Sequence, residues 1–247
     1  MTREPETSPG SLRTDPEQVR VIRHIFGTVT GTYDLLNHVL SLRRDVAWRR
    51  KTVSEMRFFR THRLLDVATG TCDLAIEAAQ KHPHIRVVGT DLVGEMMERG
   101  RAKIRRAGLS SRIQLIQGDA LGLPFADGRF DAAAVAFGIR NMPDREAALR
   151  EMARVVVPGG LVLVLEMTLP RSRIFRPLYE IYLNRILPGV ARLFSPNPGA
   201  YHYLARSIMS FPSPAAFAGL MRGAGLERVE VHPLTLGITS LHTGRKP

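Results

Sequence analysis

Four near-continuous apolar runs limit what this chain can fold into: RLLDVA (63–68), IRVVGTD (85–91), FDAAAVAFGI (130–139) and GLVLVLEM (160–167). Val, Leu and Ala without polar alternation mark strands covered on both faces, as in a parallel sheet. RIQLIQGDA (112–120) supplies one more short strand. Between the strands lie helical patterns: LAIEAAQKH (74–82), GEMMERGRAKIRRAG (94–108) and DREAALREMARVV (144–156). Strand and helix in alternation, with right-handed crossovers, predict an α/β, Rossmann-like fold with a doubly wound, mostly parallel sheet. Near the C-terminus, LERVEVHPL (226–234) and GITSLHTG (237–244) flank a tight turn and predict an antiparallel hairpin at a sheet edge.

The remaining segments set the domain organisation. Residues 1–18 are rich in Pro, Ser, Thr and Glu and read as a disordered lead-in. They contain no apolar h-region, so they do not read as a secretory signal. Residues 19–247 read as a single domain, with N-terminal helices over 19–62 and a helical cap inserted at 171–211. Within the cap, 172–194 and 201–211 are amphipathic and aromatic, as expected of a cover over a ligand. No uncharged apolar run approaches the roughly 18 residues of a membrane span. The single cysteine excludes internal disulfides and fits a reducing cytoplasm.

The net charge of +12 is unevenly placed. Residues 64–170 hold 13 basic and 13 acidic side chains, whereas 1–63 carry an excess of five and 171–247 an excess of seven. Nucleic acid, an anionic membrane surface or an acidic substrate would each suit such a basic rim. An arginine-rich composition explains it equally, since 31 of the 35 basic residues are Arg.

In a doubly wound sheet, ligands bind outside the carboxyl ends of the central strands. The first strand ends there in Ala68-Thr69-Gly70-Thr71-Cys72-Asp73, a turn of small residues that lets backbone approach a ligand closely. Asp91 closes the second strand and could accept hydrogen bonds from both hydroxyls of a ribose. Asp119 follows the third strand, where it could take an exocyclic amine such as that of adenine. NAD and S-adenosylmethionine both present those groups. A dinucleotide site needs G-x-G-x-x-G, in which the second glycine admits the pyrophosphate. Here Gly70 stands alone, with Ala68 and Cys72 two positions to either side.

Beyond this turn, DVATGTCDLA, GTDLVGEMM, GDALGLPFADGRFDAAAVAFGIRNMPD, ALREMARVVVPGG and the segment from SFPSPAAFAGL to GITSLH resemble the ubiquinone/menaquinone biosynthesis C-methyltransferases. YDLLNHVLSL (33–42) resembles that family's N-terminal signature, and the likeness runs from about residue 19 to 245. The resemblance implies S-adenosylmethionine as cofactor and methylation of a prenylated quinol ring, either demethylmenaquinol or a ubiquinol precursor. It puts Thr71, Asp91, Asp119 and Ala120 on cofactor-binding positions, beside Gly70 and Ala68 of the turn. Two departures stand out. Cys72 replaces a glycine, which adds a side chain expected beside the methionine moiety. Ala136 replaces the serine that many members carry before FGIRN.

On the acceptor side, Arg140 and Asn141 follow the fourth strand at the crevice edge. An arginine stays protonated, so Arg140 could stabilise a phenolate or orient a water rather than act as the base. A salt bridge from Arg140 to Asp144 is the structural alternative. Tyr33 and Asn37, at i and i+4, share a helical face and could close over the pocket. Tyr201 and His202 sit in the cap, where His202 could accept a proton or pack among aromatics. The eight histidines and Cys72 show no metal-ligand spacing.

A polyprenyl tail stays in the bilayer, since each buried methylene is worth about 0.8 kcal/mol. An enzyme on its head group is therefore expected in the cytoplasm, in transient contact with the inner face of the membrane. Residues 171–210 carry six Arg against one Glu, interleaved with Phe175, Leu178, Tyr179 and Ile186, a pattern that also suits a cap packed on its own domain. A nucleic-acid methyltransferase is the rival reading, although FGIRN replaces the N-P-P-Y-type tetrapeptide of amino-methylating enzymes. A Rossmann binding module with a spoiled site is the other. No nucleic-acid partner is expected. Oligomeric state is left open, a homodimer included.

Overall fold

The computed structural model describes residues 41–189 and 199–247, with the isolated positions Asp15, Glu17 and Arg20. Seven strands form its sheet: β1 (Arg63–Val67), β2 (Arg86–Asp91), β3 (Ile113–Gln117), β4 (Phe130–Ala136), β5 (Val156–Met167), β6 (Glu227–Leu234) and β7 (Thr239–Arg245). Their spatial order is β3-β2-β1-β4-β5-β7-β6. The first five run parallel, and β7 lies antiparallel between β5 and β6. The order reverses at β1, so the ligand crevice of such a sheet opens above the carboxyl ends of β1 and β4.

Helices α1 (Arg44–Glu55), α2 (Asp73–Lys81) and α3 (Gly94–Arg106) lie on the face where Leu64, Ala75, Ile104 and Leu163 pack together. Helices α4 (Arg145–Val155) and α7 (Pro214–Gly223) lie on the other, around Leu65, Phe130, Leu149, Phe217 and Met221. Successive residues Leu64 and Leu65 thus enter opposite cores, which is why β1 is apolar without alternation. The cap has its own small core. Tyr179, Leu183 and Leu187, from α5 (Phe175–Ile181) and the turns after it, meet Tyr201, Ala205 and Ile208 of α6 (Gly199–Met209). That cluster packs on Met167 and Leu169 at the end of β5.

The strands and helices of the sheet region lie within a few residues of the sequence expectation. Two features differ. PGG (158–160), which reads as a turn before the strand, is absorbed into β5 as a bulge between the Phe130↔Val156 and Ala132↔Leu161 pairings. A side chain at Gly160 would lie 2.5 Å from the backbone oxygen of Asp131, so only glycine lets the strands stay paired there. Helix α7, capped by Ser213 with Pro214 at its first turn, is absent from the sequence reading. The lead-in and most of the N-terminal helices fall outside the described residues, Tyr33 and Asn37 among them.

Cys72 corrects a second expectation. Its residue adopts φ 68°, and this left-handed turn sends the side chain away from the crevice into the core. The thiol is fully buried, and the room it occupies is created by Gly100 of α3, where an added Cβ would lie 2.2 Å from Sγ. Burial pushes the thiol up to about 12, so it stays protonated. Cys72 therefore fills a core space shared with Gly100. Gly100→Ala should lose about 1–3 kcal/mol in urea denaturation through overpacking. In a Cys72→Gly background the same substitution should cost less than half as much, because glycine removes the thiol and accepts the left-handed backbone.

Candidate active site

A cleft opens at the switch point. Val67, Ala68 and Gly70 at the end of β1 line it, with Asp91 to Val93 at the end of β2 and Gly118 to Leu121 after β3. Ala136, Phe137 and Gly138 close the other side, with Asn141 and Met142 beyond them. Four residues around this cleft have left-handed backbones: Ala68 (φ 52°), Gly70 (φ 53°), Cys72 (φ 68°) and Phe137 (φ 61°). Such conformations are rare for residues with a side chain and persist only where their surroundings hold them. The two loops also touch. A Cβ on Gly138 would lie 2.6 Å from the Cβ of Ala68, so both positions require small residues.

Asp91 organises the turn. Its Oδ2 accepts the Gly70 N–H at 2.8 Å and its Oδ1 accepts the Val93 N–H at 2.8 Å. Each carboxylate oxygen has further lone pairs, which hydroxyl donors in the cleft could use. Burial raises the proton affinity of Asp91 above the usual carboxylate range, and the backbone bonds offset part of that shift. Asp119 is buried at the cleft wall, with its Oδ1 accepting the Leu121 N–H at 2.9 Å. Ala120 lines the cleft beside it.

This donor set suits an adenosine and opposes a diphosphate. The Gly70 N–H that would meet a phosphate is already given to Asp91, and a carboxylate at that spot repels one. Two carboxylates and no Lys or Arg occur among the described lining residues. Apolar walls come from Leu92, Met96 and Leu121, which sequence reading did not single out. Their signal was weak, since an apolar residue after a strand end looks like core. Thr71 lies in the turn, but its hydroxyl accepts from Lys103 Nζ at 3.2 Å and it is not among the lining residues.

Arg140 pairs with Glu166, in place of the Asp144 partner considered from sequence. Arg140 Nη1 lies 2.5 Å from Glu166 Oε1 and donates to the Phe137 carbonyl at 2.7 Å. Asp144 instead caps α4, accepting the Ala147 N–H. Asn141 lines the cleft, and its Oδ1 accepts from the Tyr203 hydroxyl at 3.1 Å. Tyr203, missed in the sequence reading, is thus the cap residue that reaches the crevice edge. Tyr201 is buried in the apolar core of the cap, and His202 is exposed. Trp48 packs against Phe137 at 6.1 Å, and the Arg49 guanidinium lies 5.6 Å from the same ring.

Beneath the turn, Asp66 is almost completely enclosed and accepts the Thr69 hydroxyl at 2.6 Å. Burial, reinforced by the neighbouring charge of Asp91, raises its carboxyl to about 7. A carboxyl whose proton affinity rises on folding stabilises the fold below its unfolded value near 4, and that contribution is lost as pH rises to about 7. Asp66→Asn mimics the protonated form, since the Thr69 hydroxyl can reverse its role. It should raise stability at pH 8 by up to about 4 kcal/mol and change little at pH 4, as read from urea denaturation at the two pH values.

Comparison with known proteins places this geometry. The model of the ubiE/COQ5 methyltransferase family matches residues 13–246. The ubiquinone/menaquinone biosynthesis C-methyltransferase UbiE of Geotalea daltonii is 42% identical over 231 residues, covering 93% of this chain and 98% of that protein. The demethylmenaquinone methyltransferase of Deinococcus radiodurans is 41% identical, covering 92% and 93% respectively. Among solved structures, a possible histamine N-methyltransferase of Thermotoga maritima has a TM-score of 0.63 at 20% identity, covering 92% of this chain and all of that one. The [4+2]-cyclase SpnF has a TM-score of 0.68 at 18% identity, covering 96% and 99%. These last two share the fold. The sequence match over nearly the whole chain settles the family: the chain belongs to the ubiE/COQ5 methyltransferases, enzymes that take their methyl group from S-adenosylmethionine.

Proposed function

We propose that this enzyme methylates a ring carbon of a prenylated quinol, either demethylmenaquinol or a ubiquinol precursor. The observation that carries the reading is the cleft itself. Two carboxylates suited to an adenosine line it together with Phe137 and Asn141, and Arg140, paired with Glu166, directly precedes Asn141 in the turn after β4. When bound, S-adenosylmethionine supplies an electrophilic methyl group for in-line displacement. Asp91 would hold the ribose hydroxyls and Asp119 the adenine amine. Gly70, Ala68 and Thr71 would shape the turn around the methionine end, and Ala120 would lie against the base.

The acceptor carbon becomes nucleophilic when the neighbouring phenol ionises. Arg140 is the cation that would stabilise the phenolate, with Asn141 orienting the ring through its amide. Tyr201 would act by supporting the cap, and Tyr33, outside the described residues, is assigned to the acceptor side from the helical face its i, i+4 spacing gives it with Asn37. The cap helices exclude water from the reacting atoms.

The outer face of α5 suits a membrane surface. Ile174, Leu178, Ile181 and Ile186 are each at least half exposed, and Phe175 nearly so. Exposed Arg171, Arg173, Arg176 and Arg185 flank them, with Glu180 the acidic side chain of that stretch. Apolar side chains beside cations fit the interface of an anionic bilayer. No helix among the described residues is long and apolar enough to cross a membrane. The reading therefore has the enzyme dock, take the quinol head group and leave the tail in lipid.

Labelled S-adenosylmethionine with both classes of reduced quinone in micelles tests the activity; no label in either quinone removes the proposal. Asp91→Ala should weaken S-adenosylmethionine binding about 10- to 100-fold by calorimetry, through the loss of charged hydrogen bonds. Arg140→Gln should keep that affinity within about threefold and lower turnover about 100-fold. Equal loss of binding in both would contradict the assigned roles. In flotation assays the enzyme should bind vesicles containing anionic lipid and be released by salt, and Phe175→Glu/Leu178→Glu should stay unbound at any ionic strength. Equal binding of that variant would exclude this face.

A further inference from the structure

Glu166 is the one charged residue in the β5 run Leu161–Met167, and it has no exposed surface. Both its oxygens accept hydrogen bonds. Oε1 accepts from Arg140 Nη1 at 2.5 Å and from the Met167 N–H at 2.8 Å. Oε2 accepts the Arg140 N–H at 3.3 Å. One carboxylate therefore grips both the main chain and the guanidinium of Arg140. It joins the end of β5 to the 3-10 turn Ile139–Asn141, which follows the left-handed Phe137.

Packing alone does not explain this arrangement. Taking two charges out of water is costly, and an apolar pair of equal volume would fill the space with less penalty. The surroundings point instead to the reaction. Asn141, next to Arg140, lines the cleft and is held from the cap by Tyr203. Tyr179 of α5 buries its hydroxyl without a hydrogen-bond partner, in the field of both Arg140 and Glu166. A polar atom so enclosed and unpartnered marks a place that another polar group completes.

We propose that Glu166 is a positioning residue for methyl transfer: it holds the Arg140 backbone and guanidinium in the orientation that meets the ionised oxygen of the acceptor. The inference rests on the role given to Arg140 above. Glu166 makes no contact with substrate in this scheme and acts through Arg140.

The test is a pH profile of turnover with reduced quinone in micelles, comparing wild type, Arg140→Gln, Glu166→Gln and the double variant. Among the described residues, the charged or titrating groups facing the pair include Tyr179 from α5, Tyr203 from α6 and Arg145, whose Nη2 donates to the Arg140 carbonyl. All are kept. Glu166→Gln preserves shape and should lower kcat at least about tenfold, with KM for S-adenosylmethionine within about threefold. Its acid limb should move up by about one pH unit, because a less well placed cation stabilises the phenolate less. A purely structural role would lower Tm and leave the limb in place, which would overturn the proposal.

The double variant leaves no buried charge unpaired and should turn over like Arg140→Gln alone. A further loss in it would mean that Glu166 acts independently of Arg140, which also overturns the proposal; this comparison decides the matter even if Glu166→Gln fails to fold. The controls separate the two levels of inference. Wild type inactive on quinols removes the function reading, and Arg140→Gln as active as wild type removes the role of Arg140. A normal Glu166→Gln profile beside an impaired Arg140→Gln removes this inference alone.

Discussion

The hydrogen bond from the Gly70 N–H to Asp91 fixes the geometry on which the site depends. It joins the turn after β1 to the end of β2, across the first pairing of the sheet. Because Val93 holds the other oxygen, the carboxylate has its orientation before any ligand arrives. Preorganisation of this kind lowers the entropy cost of binding. The same enclosure raises the proton affinity of Asp91 and, beneath it, of Asp66.

On the far side of the cleft a second set of contacts fixes the loop after β4. Phe137 adopts its uncommon backbone between the Leu165 carbonyl, which accepts its N–H, and Arg140, which donates to its own carbonyl. Trp48 and Arg49 of α1 pack on its ring. The likeness to the [4+2]-cyclase SpnF, with most of both chains superposed, shows that the fold alone does not choose a reaction. In the proposed reading that choice lies in the short segment from Phe137 to Asn141 and in the helices assigned to cover it.

The sheet was legible because its signals are local. Short unbroken Val, Leu and Ala runs bounded by turn residues mark strands buried on both sides, and Asp91 and Asp119 stand at strand ends, where the doubly wound topology puts ligands. What escaped reading depends on distant pairs. Cys72 looked like an intruder in the cofactor loop because its partner, Gly100, lies on another helix and the turn's handedness is invisible in the letters. Arg140 had a plausible partner nearby in Asp144, whereas the real one sits at the end of β5. Tyr201 and Tyr203 are two residues apart on α6, and only the angle at which that helix docks decides which one meets Asn141.

The cap helix also contains a five-residue π turn, Tyr182–Ile186, directly after α5. A π turn carries one residue more than an α turn, so it slips the rotational phase of everything beyond it by roughly 100°. Tyr179, Leu183 and Leu187 are buried against α6 along one side, whereas Leu178, Ile181 and Ile186 are exposed along the other. One continuous rod therefore wears two greasy seams facing opposite ways, one for its own domain and one for the outside. Removing a single amino acid from that turn would rotate Leu187 by roughly 100° relative to Tyr179 and take it out of the inner seam, so its length is as much a part of the enzyme's design as its composition.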